Sequence, residues 1–345
     1  MAHKKGHFAR LVAVLLALAL LASACGDSDK KAAEEAGLTQ VVFQLNWVPG
    51  GFHAGFAVAR DKGFYEEEGL FVFLVPGSGS ATTAQMVAAG NAYLGNADAV
   101  SVSQLVAQDA PLKVIATLFQ GTPSQVTALK GTGIEVFADL AGKTIAYPTG
   151  GQQAPQFPLL LEANNIDPDS VTLVGVPREA LVVQLLEGNV DAILGSSDFF
   201  SIQLADRGAE TVDFPFYEYG APTVATSIFG NENWMKENPE ITKAFVKASL
   251  RGWAYALDNP DEAVAAIKTI FRDANEEVAL KELAATIPLY CANNAEFLGK
   301  ATEEAWVNHQ AVLERVEAVP VGFDPKRFYT YDYLPPAAEL IACKW

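Results

Sequence analysis

One stretch of this chain returns in altered form about a hundred residues later, and that echo most limits what the chain can fold into. The first copy runs Gly90-Asn91-Ala92-Tyr93-Leu94-Gly95-Asn96-Ala97-Asp98 and is followed by Ser101, Gln104 and Leu105 at helical spacing. The second runs Gly188-Asn189-Val190-Asp191-Ala192-Ile193-Leu194-Gly195-Ser196-Ser197-Asp198 and is followed by Ser201, Gln203 and Leu204. Each copy reads as helix, Gly-Asn turn, short strand, Leu-Gly, two small residues, Asp, helix. The Asp is placed to cap the helix that follows. The repeat is too short and too isolated for a solenoid. It fits two similar α/β lobes, each presenting a helix N-terminus at the carboxyl end of a strand. Open α/β sheets bind ligands at that edge, so two such edges facing each other make a cleft.

The rest of the chain alternates in the same way. Short apolar runs at 41–45, 71–75, 93–95, 114–119, 144–147, 171–174 and 191–194 predict strands. Helical spacing at 54–62, 82–89, 98–108, 154–164 and 178–187 predicts helices between them, and 238–317 reads as mostly helical. This alternation implies a mainly parallel sheet covered on both faces. Two more strand-to-helix junctions carry small polar residues: Pro76-Gly77-Ser78-Gly79-Ser80, and Thr149-Gly150-Gly151-Gln152-Gln153. Glycines let backbone N–H groups approach a ligand, and a helix N-terminus is partly positive. Neither loop has the G-K-[ST] of a nucleotide-phosphate loop, and neither matches G-x-G-x-x-G. The set suits a polar or anionic small molecule, such as a sulfonate, a carboxylate or a polar heterocycle.

Composition removes other functions. Among 345 residues, 24 Lys+Arg face 41 Asp+Glu, a net charge of −17. A nucleic-acid backbone or an anionic lipid surface needs the opposite balance. Half the residues are apolar, which excludes a disordered chain. Three Cys and four His, with no C-x-x-C and no H-E-x-x-H, argue against a metal site. Ser-His-Asp spacing and a close carboxylate pair are likewise missing from the pattern, so the reading is a binding protein without cofactor rather than an enzyme.

The N-terminus reads as an address. Lys4, Lys5 and Arg10 precede an uncharged run from Leu11 to Ala24, too short to span a bilayer but suited to a signal-peptide core. The run ends Leu21-Ala22-Ser23-Ala24-Cys25, which resembles a bacterial lipoprotein signal in which Cys25 is lipidated; a plainly cleaved secretory signal is the alternative. Residues 1–24 are thus the signal, and 25–39 a polar tether. With Cys25 lipidated, Cys291 and Cys343 remain, and outside the cytoplasm they are expected to pair; two buried thiols are the alternative.

From Gln44 to Leu70, QLNWVPGGFHAGFAVARDKGFYEEEGL resembles the opening of the extracytoplasmic solute-binding proteins of the NMT1/THI5 and sulfonate/nitrate-like group. Trp47 and Pro49 match its Trp-x-Pro loop, and Lys62-Gly63-Phe64-Tyr65 to Gly69-Leu70 its K-G-[FY]-[FY]-x-x-x-G-L pattern. The stretches at 77–80, 88–99, 139–151, 185–195 and 238–263, and Tyr331-Asp332-Tyr333-Leu334-Pro335, are also similar. The resemblance implies a type II periplasmic-binding-protein fold, in which two doubly wound α/β lobes are joined by two crossover strands with a ligand cleft between them. Crossovers are expected near 125–130 and 223–230, giving lobe 1 as 40–130 plus 223–345 and lobe 2 as 131–222.

The resemblance further implies a monomeric receptor that hands a small-molecule ligand to an ABC permease and ATPase. The ligand is a heterocyclic vitamin precursor or an organosulfonate. Expected contacts are Trp47, His53, Ser78, Ser80, Asn96 and Asp98 from one edge, with Gln120 at the junction. From the other edge come Gly151, Gln152, Gln153, Ser197, Asp198 and Tyr219. Phe52, Phe199 and Tyr217 are further candidate stacking faces. Relatives that bind pyrimidine thiamin precursors often have Gly-Gly-Asn-Glu where this chain has Gly150-Gly151-Gln152-Gln153, so a carboxylate is missing there. The enzymes of the group carry a Cys-rich motif that this sequence lacks. The rival readings are an extracytoplasmic enzyme or a ligand sensor on the same scaffold.

Overall fold

Alternation in Leu70-Phe71-Val72-Phe73-Leu74-Val75 buries every second side chain, as one covered face of a strand requires. Such segments build two five-stranded sheets in the computed structural model, which describes residues 33–149, 151 and 153–345. The expected signal peptide, Cys25, most of the tether and Gln152 lie outside the described residues. No helix among the described residues is long and apolar enough to cross a membrane.

The first sheet has the order β2-β1-β3-β10-β4, from strands Thr39–Gln44 (β1), Leu70–Val75 (β2), Leu94–Asp98 (β3), Leu112–Thr117 (β4) and Thr226–Asn231 (β10). The second has the order β7-β6-β8-β5-β9, from Ser124–Leu129 (β5), Thr144–Pro148 (β6), Thr172–Val176 (β7), Ala192–Ser196 (β8) and Thr211–Pro215 (β9). In each sheet the fourth strand runs antiparallel to both its neighbours, while the parallel pairs lie on the other side. That antiparallel strand arrives directly from the other sheet: β5 follows β4, and β10 follows β9. Two exchanged strands therefore tie two sheets of equal topology together. This is the two-lobed periplasmic-binding-protein fold expected from the sequence.

The two copies of the sequence echo become β3 and β8, each third in its sheet and each followed by a helix, Ala99–Ala107 and Phe200–Asp206. Residues 125–130 fall largely in β5, paired on both edges within the second sheet, and the chain passes between the sheets just before it, over 118–123. The return passes over 216–225, ahead of β10. The second sheet takes its first strand in chain order from Ser124. The helix Glu303–Arg315 bridges the two units, since Val312 packs in the core of the second sheet and Trp306 and Leu313 in that of the first.

Cys291, which ends the helix Glu276–Tyr290, is disulfide-bonded to Cys343. The same helix presses on the loop after β1. A Cβ on Gly51 would stand 1.9 Å from the Ala279 carbonyl oxygen and 2.4 Å from the Leu283 nitrogen, both backbone atoms that cannot step aside. Gly51→Ala is expected to lift this loop from the helix and cost about 1–3 kcal/mol in urea unfolding. A change below about 0.5 kcal/mol would show that the close approach does not constrain the loop.

Candidate functional site

The parallel strands of both sheets end toward one cleft. From the first sheet, Asn46 and Trp47 follow β1, Ser80 opens the helix Ser80–Ala88 after β2, and Asp98 ends β3. From the second, Pro148 ends β6, Gly151 and Gln153 lead into the helix Gln153–Ala163, and Ser196 and Asp198 close β8. Phe119, Pro123 and Thr226 line the cleft floor where the chain changes sheets. This is the strand-end position at which α/β sheets bind ligands.

Aromatic side chains form one wall. Phe199 and Phe200 of the second sheet's turn reach the Trp47 ring at centroid distances of 5.9 and 6.5 Å, close to edge-on. Phe52 meets Phe199 at 5.9 Å in the same manner. Rings from both sheets are thereby placed to face a flat ligand.

Polar groups fix the other side. Asp98 accepts the Val100 N–H at 2.9 Å and caps its helix, while its own N–H donates to Ser80 Oγ at 3.0 Å. Burial pushes the Asp98 carboxyl up to about 7, with the Val100 N–H pulling the other way. Burial also raises Asp198, against a hydrogen bond from Ser196. Glu282, on the helix behind the loop, accepts the Gly51 N–H at 2.7 Å. Its carboxyl is pushed up to about 8, by burial first and by the charge of Asp198 as well. Gln153 donates to the Gly195 carbonyl at 3.4 Å and keeps its buried Oε1 without a partner, an acceptor on the cleft wall.

The structure brings Trp47, Ser80, Asp98, Gly151, Gln153 and Asp198 together, as well as Phe52 and Phe199. Other expected contacts lie elsewhere. His53 Nε2 donates to Asn46 Oδ1 at 2.8 Å, and Asn96 Nδ2 donates to the same oxygen at 3.0 Å. These two residues hold Asn46 in place instead of meeting the cleft. Burial lowers His53 to about 3, so its ring is neutral. Gln120 is turned away, giving its amide to the Tyr290 and Phe297 carbonyls at 3.0 Å each. Tyr219 stacks on Phe137 at 4.3 Å inside the second core, because the loop after β9 folds back on its own sheet. Tyr217 is exposed. Ser78 is also exposed, and Ser197 is engaged through its backbone with the Pro123 carbonyl, leaving Ser196 to face the cleft. Asp198 is not a cap: its helix starts at Phe200, with Phe199 in the cap position and no side-chain bond.

Sequence reading missed Asn46, Phe119, Pro123, Pro148, Ser196, Phe200 and Thr226. Asn46, Ser196 and Phe200 each adjoin a named residue, and that adjacency was a usable signal. Phe119, Pro123 and Thr226 meet only because the crossing segments do.

Residues 51–263 match the model of the NMT1/THI5-like family. The formylaminopyrimidine-binding protein of Halalkalibacterium halodurans is 27% identical over 318 residues, covering 89% of this chain and 95% of that one. A 4-amino-5-hydroxymethyl-2-methylpyrimidine phosphate synthase of Legionella pneumophila is 24% identical over 312 residues, 88% of this chain and 96% of that one. Among solved structures, the periplasmic aliphatic sulphonate binding protein SsuA of Escherichia coli superposes with a TM-score of 0.69 at 12% identity, over 86% of this chain and 99% of that one. The family match spans more than half of the chain and takes in most of the cleft, and the chain belongs to the NMT1/THI5-like family.

Proposed function

We propose that this chain is a solute-binding protein that captures one small planar heterocycle with amino or ring N–H groups. Closure of the two lobes holds the ligand, which passes to the permease and ATPase of an ABC importer. Binding and hinge motion are the whole mechanism. The observation that carries this reading is the charge of the cleft wall. Among the described residues, those lining it include Asp98 and Asp198 and no Lys or Arg. A buried carboxyl, once ionised, accepts an N–H or shares a proton with a ring nitrogen, and in that form it repels a sulfonate or nitrate. The aromatic wall adds stacking faces. The carboxyl missing from the Gly150–Gln153 loop is supplied from the ends of the two sheets. A relative named for formylaminopyrimidine binding fits this chemistry.

The same geometry favours binding over catalysis, although some relatives are named synthases. His53 is committed to Asn46, and the Ser80 hydroxyl to the Asp98 backbone. Neither is arranged as a base beside a nucleophile. Lipidation at Cys25, a monomeric state and a place on the outer face of the cell membrane belong to the same proposal.

The test is thermal unfolding against 4-amino-5-hydroxymethyl-2-methylpyrimidine, formylaminopyrimidine, riboflavin, taurine, alkanesulfonates and nitrate. A ligand at a hundred times its Kd adds about 2.7 kcal/mol of stability. A shift confined to amino-heterocycles is the expected result. A shift with sulfonates or nitrate alone would overturn the ligand class.

A further inference from the structure

Arg178 opens the helix Arg178–Leu186 at the carboxyl end of β7, next to the cleft but not among the residues lining it. Its guanidinium carbon stands 4.9 Å from the centre of the Trp47 ring. Trp47 follows β1 in the first sheet, and Arg178 follows β7 in the second, so this contact joins the lobes.

The remaining surroundings of the guanidinium do not explain its position. Nε pairs at 2.6 Å with Glu179, its neighbour in sequence, whose side chain is 69% exposed. That pair would form equally well with the arginine turned out to water. Nη1 is buried and has no hydrogen-bond partner. Burying a guanidinium N–H without an acceptor is unfavourable. The indole face of Trp47 is what the inward position gains. Trp is the strongest aromatic partner for a cation, and the contact strengthens as water is excluded. The Arg178 side chain is only 25% exposed.

We propose that Arg178 is a clamp: it acts through Trp47 to hold the two lobes together over the cleft. The inference rests on the lobe closure proposed above and not on the identity of the ligand. A second cation also crosses between the lobes, Lys281 to Asp206 at 2.7 Å. Its side chains are 43% and 34% exposed, and a solvated pair of this kind contributes little. It is the built-in comparison.

The experiment measures the distance between the lobes in ligand-free protein. Spin labels are attached at Lys130 and Lys236 by chemistry that leaves the Cys291–Cys343 disulfide intact. The wild type is expected to show a short-distance population matching this structure. Arg178→Gln should lower the ratio of short to long distances about five- to thirty-fold, as loss of a partly desolvated cation–π contact implies. Trp47→Leu also removes the contacts of the ring with Phe199 and Phe200 and should fall at least as far, and adding Arg178→Gln to it should lower the ratio no further. Arg178→Lys should restore part of the loss, since the charge remains but the planar face is gone. Lys281→Gln should change the ratio less than about twofold.

An unchanged ratio in Arg178→Gln would overturn the clamp. So would additive losses in the double variant, or the absence of a short population in the wild type. Failure of every compound in the ligand panel leaves these distances unaffected, so the clamp and the ligand class fail separately.

Discussion

Replacing Cys291 and Cys343 together by Ala is expected to cost about 4 kcal/mol in denaturant unfolding. The two cysteines are 52 residues apart, and closing a loop of that length in the unfolded chain removes about this much entropy at 25 °C. The bond also braces a packed region. The Cys343 N–H bonds the Glu296 carbonyl at 2.9 Å, and the Leu298 N–H bonds the Ile341 carbonyl at 2.9 Å. The segment fastened in this way grips the first crossing between the sheets. Gln120 donates its backbone N–H to Leu289 at 2.8 Å and its side-chain amide to Tyr290 and Phe297, and Asn293 donates to the Gln120 carbonyl. Thr117 donates to Gly299 at 2.8 Å on the same stretch. A loss below about 1 kcal/mol, with an unchanged denaturant slope, would mean the segment holds itself in place without the bond.

Gln120 shows where the sequence was legible and where it was not. Its polarity and its position after an apolar strand resemble those of a ligand contact. Only the fold shows that the disulfide-pinned segment uses both its backbone and its side chain. The echo at Asp98 and Asp198 was readable because a strand, a turn and a helix start leave a local pattern. It located both halves of the cleft. The echo did not show that one Asp caps its helix and the other does not, because Phe199 takes the cap position through the local backbone path. β9 is absent from the sequence reading. A strand that enters its sheet from the other lobe pairs with residues far along the chain, and no short-range periodicity reports that. His53 and Asn96 are expected from the sequence as ligand contacts, yet they act at one remove, through Asn46. Polarity in sequence marks a residue that needs a partner, not which partner it takes.

Asp98→Asn is expected to turn a cleft group that destabilises the protein at high pH into one that is neutral to pH. Asp98 is 2% exposed, and burial pushes its carboxyl up to about 7 from an ordinary value of 3.8. The native state therefore keeps a proton that the unfolded chain has already lost. A raised acid contributes stability in full below the unfolded value and loses it as pH climbs through the folded one. The window is about pH 4 to pH 7, and the total loss is on the order of 4 kcal/mol at 1.36 kcal/mol per unit. Asparagine keeps the oxygen that caps the helix at Val100 and has no proton to lose. The two proteins should thus be nearly equal in stability at pH 4, and the variant should be more stable at pH 8. Measuring the difference between them is essential. His53 and His309, lowered by burial to about 3, destabilise the native state on the acid side and mask the slope in either protein alone. The difference cancels them, along with Glu282 and most of Asp198. A stability difference that stays constant from pH 4 to pH 8 would show that Asp98 does not titrate in this window. A ligand that donates an N–H to this carboxyl favours its ionised form and lowers its folded value. Saturating the wild type with such a ligand should flatten the same pH dependence, whereas a ligand bound against the aromatic wall alone should leave it in place.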